Sequence, residues 1–281
     1  DDFTRPDAGQ VMIYLDSRGN VDFTYRVECD KPWLYFSPQK GRVHSMEEGG
    51  TSIVAALDRA KLSGRERAYI KIFIEFDNGA KTVGKLAIEA EQREYPYPAG
   101  TYLEKQGYIA MRAEGFIEEK KVEGKGFEVI EYLGRTGPAV KSFPVTESWA
   151  ERKEVPYLKY AFVAGNEGTY VLRLYLPARN PVEKGKKMRC MISVNDGERQ
   201  ILDTVSDSFT TDCGCEEWCQ GVLNNVRIVE TTVTVSKGEN VLYFYAADPG
   251  IVLESLVLYP AGTKLPDSYL GPAESYRIGA Q

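Results

Sequence analysis

Alternation with a period of two is the feature that most restricts this chain. From Ala68 to Phe76, the residues Ile70, Ile72, Ile74 and Phe76 fall on one face, with Lys71 and Glu75 on the other. Asp77-Asn78-Gly79 follows as a turn signal, and Lys81–Ala90 returns with Leu86 and Ile88 inward, so the segment reads as a hairpin. The rhythm recurs in Asp22–Val27, with Phe23, Tyr25 and Val27 on one face, and in Thr169–Leu176, with Tyr170, Leu172, Leu174 and Leu176. It recurs again in Met188, Cys190, Ile192 and Val194. A period of two buries one face of a strand and does not build the apolar stripe of a helix. A turn or two around Glu216–Leu223 is the only helical stretch the sequence allows, so the fold class is all-β.

The spacing of these strands predicts two β-sandwiches in series. Residues 1–92 hold about six short strands and read as an immunoglobulin-like sandwich, with Trp33 as a core plug in the Pro-bounded stretch Asp30–Gly41. A short linker, residues 93–101, follows at a cluster of proline and glycine. Residues 102–265 carry strands at Tyr108–Ala113, Phe127–Tyr132, Leu158–Val163, Val226–Val235, Asn240–Ala246 and Ile251–Tyr259, besides the two named above. They read as a larger jelly-roll sandwich, closed by a Pro/Gly-rich tail, residues 266–281.

Charge and composition exclude several classes of function. Lys and Arg number 35 against 41 Asp and Glu, a net charge of −6, so a polyanion such as nucleic acid meets net repulsion. No apolar run approaches the roughly 18 residues of a membrane span. His44 is the single histidine, so a multi-His metal site is excluded and any Ser-His or Cys-His mechanism would have to use it. Glycosidase chemistry needs two carboxylates and no histidine, and composition leaves it open.

The candidate binding residues each have a structural alternative. Cys213, Cys215 and Cys219 crowd into seven residues, which suits a disulfide, or a zinc site with Asp212 or Cys190 as fourth ligand. Trp149 and Trp218 sit in predicted loops, as platforms for the apolar face of a sugar or as loop anchors. Arg135, Arg152 and Arg179 offer a guanidinium for a uronate carboxylate. Glu114, at the end of the second domain's first strand, and Glu254, on its last, would share a calcium ion if those strands are neighbours. Alternatively they are solvated, or paired with Arg112 or Arg135.

A run of landmarks then falls in order over Tyr102–Ser275: Ala113-Glu114, Leu133-Gly134-Arg135-Thr136-Gly137, Trp218 with Asn224-Asn225, Asp248-Pro249-Gly250, and Ser268-Tyr269-Leu270-Gly271-Pro272. This series resembles the C-terminal region of glycoside hydrolase family 115, the xylan-type α-glucuronidases. Trp33, Pro38, Gly41 and Leu62–Ile72 resemble the immunoglobulin-like, BACON-type sandwiches of carbohydrate-degrading systems. The resemblance implies a non-catalytic accessory region, with catalytic domains upstream in the same protein, a role in scaffolding or homodimer formation, and contact with acidic xylan-type polysaccharide. It also implies a secreted or periplasmic location. Calcium between the Ala-Glu strand and the last strand is a feature of similar carbohydrate-binding sandwiches, in which Asp usually stands where this chain has Glu254. No cofactor is required by this reading. The alternative is a self-standing carbohydrate-binding protein with no associated catalytic domain.

Overall fold

The computed structural model describes residues 9–17, 19, 21–45, 50–92, 95–182 and 187–279. The chain divides into two compact units, Asp1–Pro96 and Tyr97–Gln281. Arg93 and Glu94, within the expected linker, lie outside the described residues.

Among the described residues the first unit contains seven strands: β1 (Gln10–Leu15), β2 (Phe23–Cys29), β3 (Leu34–Ser37), β4 (Lys40–Val43), β5 (Thr51–Leu57), β6 (Arg65–Phe76) and β7 (Lys81–Glu91). They form a three-stranded sheet, β1-β5-β3, and a four-stranded sheet, β4-β2-β6-β7. The alternating residues behave as strand geometry requires: Phe23, Tyr25 and Val27 are buried, and Ile70 and Ile72 join them in the core around Trp33. Trp33 is 1% exposed. Leu86 differs from its expected inward placement, because β7 is an edge strand and leaves it 42% exposed opposite Ile70. The Pro-bounded stretch Asp30–Gly41 holds β3 and the start of β4.

The second unit contains β8 (Tyr102–Leu103), β9 (Ile109–Arg112), β10 (Glu118–Lys120), β11 (Gly126–Ile130), β12 (Ala139–Phe143), β13 (Tyr157–Ala164), β14 (Gly168–Leu176), β15 (Arg189–Val194) and β16 (Gln200–Asp203). One helix, α1 (Glu216–Asn224), precedes β17 (Arg227–Val235), β18 (Gly238–Ala246), β19 (Val252–Leu253) and β20 (Ser255–Pro260). One sheet runs β10-β13-β18-β15-β16 with β8 added on β13, and the other runs β17-β14-β20-β9. A third, β11-β12-β19, flanks them. Together they make a jelly-roll sandwich. Leu158, Tyr160 and Phe162 of β13, Leu242 and Phe244 of β18, and Leu172 and Leu174 of β14 fill one continuous core.

The segment read as a tail is part of this unit. Ser275 exchanges hydrogen bonds with Ala110, its backbone N–H donating at 2.9 Å and its hydroxyl accepting at 3.0 Å. The Leu103 and Gly100 N–H groups donate to the carbonyls of Tyr276 and Ile278. The reason is apolar as well as polar. Tyr108, Ala110, Tyr175, Val257 and Tyr259 form a small second cluster on the outer face of the β9-containing sheet, and Leu265 packs against it. A strand buried on both faces needs a cover, and the end of the chain supplies one.

Candidate functional site

Most of the residues singled out by sequence are absorbed into the framework. Trp149 is 1% exposed, its N–H donating to the Ala247 carbonyl at 2.6 Å and the Arg152 guanidinium lying 4.5 Å from its ring centre. It anchors a loop and has no free face for a sugar. Trp218 is half-buried on α1. Arg135 is clamped: its backbone N–H and Nε donate to Glu254 Oε2 at 3.0 and 3.3 Å, and Nη2 donates to Oε1 at 3.3 Å. Nη1 donates to the Tyr269 carbonyl at 2.8 Å. The two side chains are 4% and 1% exposed. The glycines around Arg135 permit this approach, since a Cβ on Gly134 would sit 3.0 Å from Glu254 Cγ.

That clamp bears on calcium. Glu254 already faces a buried cation, the guanidinium, and both its oxygens are engaged. Glu114 lies in a 3-10 turn after β9 with Oε2 buried and unpartnered, and burial pushes its carboxyl up. Among the described residues, no group of three or more His, Cys, Asp or Glu could hold a metal ion. The Glu114–Glu254 pair does not fit a shared cation; β9 and β20 are neighbours as expected, but Arg135 stands where the charge would be needed.

A different group of residues meets at a cleft of about 490 Å³ at the loop end of the sandwich. Lys141 enters it from β12, Arg179 and Asn180 from the loop after β14, and Asn225 from the end of α1. Leu133, Pro177 and Val182 add apolar walls. The local sequence explains the placement. Pro177 and Pro181 bracket Ala178-Arg179-Asn180 and restrict that loop. Gly221 lets α1 approach within contact of Ala178, where a Cβ would lie 3.4 Å from that methyl. Asn225 then takes the left-handed conformation, φ 48°, and ends the helix at the cleft. Arg179 has no acidic partner among the described residues. Lys141 lies 5.1 Å from the Phe143 ring centre and across the strand pair from the exposed Glu128. Two cations and two amides around an open, partly apolar hollow suit a ligand that combines a carboxylate with hydroxyls.

Sequence reasoning sought tryptophans and missed a tyrosine patch. Tyr157, Tyr243 and Tyr245 come together on the outer face of the β13-β18-β15 sheet, with ring centres 5.1 to 6.0 Å apart. Lys159 lies over Tyr243 and Arg199 over Tyr245. The signal was present as alternation in Tyr243 and Tyr245, but only strand pairing sets Tyr157 beside them.

The fold defines an all-β protein whose second unit is a jelly-roll sandwich. The family model for the glycosyl hydrolase family 115 C-terminal domain matches residues 101–274, more than half of the chain, and the chain belongs to that family. A family GH115 4-O-methyl-α-glucuronidase, BtGH115A, with specificity for decorated arabinogalactans, is similar at 22% identity and a TM-score of 0.43, over 62% of this chain and 20% of that enzyme. A family 35 carbohydrate-binding module from Clostridium thermocellum is similar at 18% identity and a TM-score of 0.35, over 55% of this chain and 98% of the module. The C-terminal family 6 module of LamC from Zobellia galactanivorans is similar at 15% identity and 0.34, over 54% and 99%. The chain thus spans about a fifth of the length of that glucuronidase. Among curated proteins, none matches.

Proposed function

We propose that this chain is a glycan-binding accessory region of a family 115-type glycoside hydrolase, and that the cleft of Lys141, Arg179, Asn180 and Asn225 holds a uronate-bearing sugar. The observation that carries this reading is Arg179, a loop guanidinium without an acidic partner among the described residues, facing an open hollow with a second cation and two amides. A net charge of −6 makes such a local grouping of cations informative. Glucuronic acid on xylan is the ligand this chemistry fits, with the sugar carboxylate on Arg179 and Lys141 and the hydroxyls on the amides. In this reading the region lies outside the cytoplasm, accompanies catalytic domains in one polypeptide, and assists homodimer formation.

Affinity electrophoresis tests it. Retardation by glucuronoxylan and none by neutral arabinoxylan is the expected result. Arg179→Ala should weaken binding by about tenfold, the value of one hydrogen-bonded charge pair. Equal mobility in gels with and without every uronate polysaccharide would end the proposal.

A further inference from the structure

Three of the five cysteines lie within seven residues, and the fold treats them unlike the other two. Cys190 is fully buried on β15, and burial pushes its thiol up to about 12. Cys29 is half-buried at the end of β2, with its thiol also pushed up by burial. Cys213 is exposed, and Cys215 and Cys219 are half-buried, around the start of α1. Cys215 is the residue that caps the helix, with extended backbone at φ −94° and ψ 106°. Its carbonyl accepts the Cys219 N–H at 3.0 Å, so the two residues stand one helical turn apart. Their α-carbons are then about 6 Å apart, inside the roughly 4.4–6.8 Å that a disulfide spans. The Cys219 thiol donates to the Cys213 carbonyl at 3.5 Å, a weak contact that rotation about one bond releases.

The surroundings of Cys215 favour its thiolate. Cys215 stands at the N-terminus of α1, a position that favours a thiolate, and the backbone N–H groups around it, that of Thr210 first, hold its thiol below the usual range. Glu217 is engaged by Arg227 Nη1 at 2.9 Å and by the Ser206 N–H, and Glu216 is exposed.

We propose that Cys215 is the attacking thiol of a thiol–disulfide exchange site for low-molecular-weight disulfides, with Cys219 as the resolving thiol. The Cys215 thiolate attacks one sulfur of a disulfide RSSR. The S–S bond breaks, one RS⁻ leaves and takes up a proton, and Cys215 holds the mixed disulfide. Cys219 then loses its proton and attacks the Cys215 sulfur, expelling the second RS⁻, which is protonated in turn. Two protein thiols become one disulfide, and RSSR becomes two RSH. The bridge staples the first turn of α1. This site is independent of the glycan reading.

The test uses the whole chain with oxidised glutathione, followed by peptide mass mapping. The expected product is a Cys215–Cys219 bridge that dithiothreitol reverses, with Cys29 and Cys190 still reduced. Cys219→Ser should stop at a glutathione adduct on Cys215, and Cys215→Ser should abolish both products. In the reduced protein, iodoacetamide should label Cys215 roughly tenfold faster than Cys213 at neutral pH. Circular dichroism confirms that the variants fold. Absence of reaction, equal adducts on the three thiols, or a Cys213–Cys219 bridge formed at the wild-type rate in Cys215→Ser would each overturn the proposal.

Discussion

At the residue scale, buried polar groups decide more than surface charges do. Trp33 fills the first unit's core while its indole N–H donates to Glu66 Oε2 at 3.2 Å. Trp33→Ala should lower stability by about 3–5 kcal/mol, read from urea unfolding of the first unit. Lys31 donates to the same carboxyl at 2.8 Å, and it and the Ser63 N–H hold Glu66 down at about 2, below its ordinary 4.5. A lowered carboxyl stabilises the fold above its unfolded value and loses that contribution as pH falls toward the folded one. Glu66→Gln should therefore flatten the acid dependence of melting between pH 4.5 and 2. An unchanged slope would show that Glu66 carries none of it. In the second unit, Arg135 and Glu254 form a buried pair. Removing one partner leaves a buried charge alone, so Glu254→Gln should cost about 3–5 kcal/mol, whereas exchanging both for apolar residues should cost less. A double-mutant cycle by chemical denaturation checks this.

At the scale of elements, the strands that carry strong alternation are those that the sequence places: β2, β6, β14 and β15 fall where periodicity sets them, and α1 falls within a residue of its expected end. Two of the missed strands are short and polar. β10 is Glu-Glu-Lys and β16 is Gln-Ile-Leu-Asp, and each exists because β13 or β15 offers it a backbone ladder. The turn after β9 makes a packing prediction. A Cβ on Gly115 would lie 1.9 Å from the Tyr102 hydroxyl, which itself donates to Glu274 at 2.9 Å. Gly115→Ala should cost about 1–3 kcal/mol by overpacking. A melting temperature equal to that of the parent protein would show that Tyr102 can swing aside.

At the scale of the whole molecule, each of the two units has its own core, and the candidate site belongs to the second alone. Because Arg135 neutralises Glu254 internally, saturating EDTA should leave the melting temperature in place. A fall would reveal a cation bound to the folded state. The sequence by itself determined the all-β class, the strand faces and the landmarks of the family 115 C-terminal domain, because a period of two and turn residues are local properties of a chain. It also named Arg179 among several arginines. Only the tertiary structure decided which arginine has no acidic partner among the described residues and which is clamped, that Trp149 is core, and that Leu265 and Ser275 pack and bond against a sheet. Those outcomes depend on which side chains meet across long sequence separations, as Arg135 and Glu254 do, and no local pattern records such meetings.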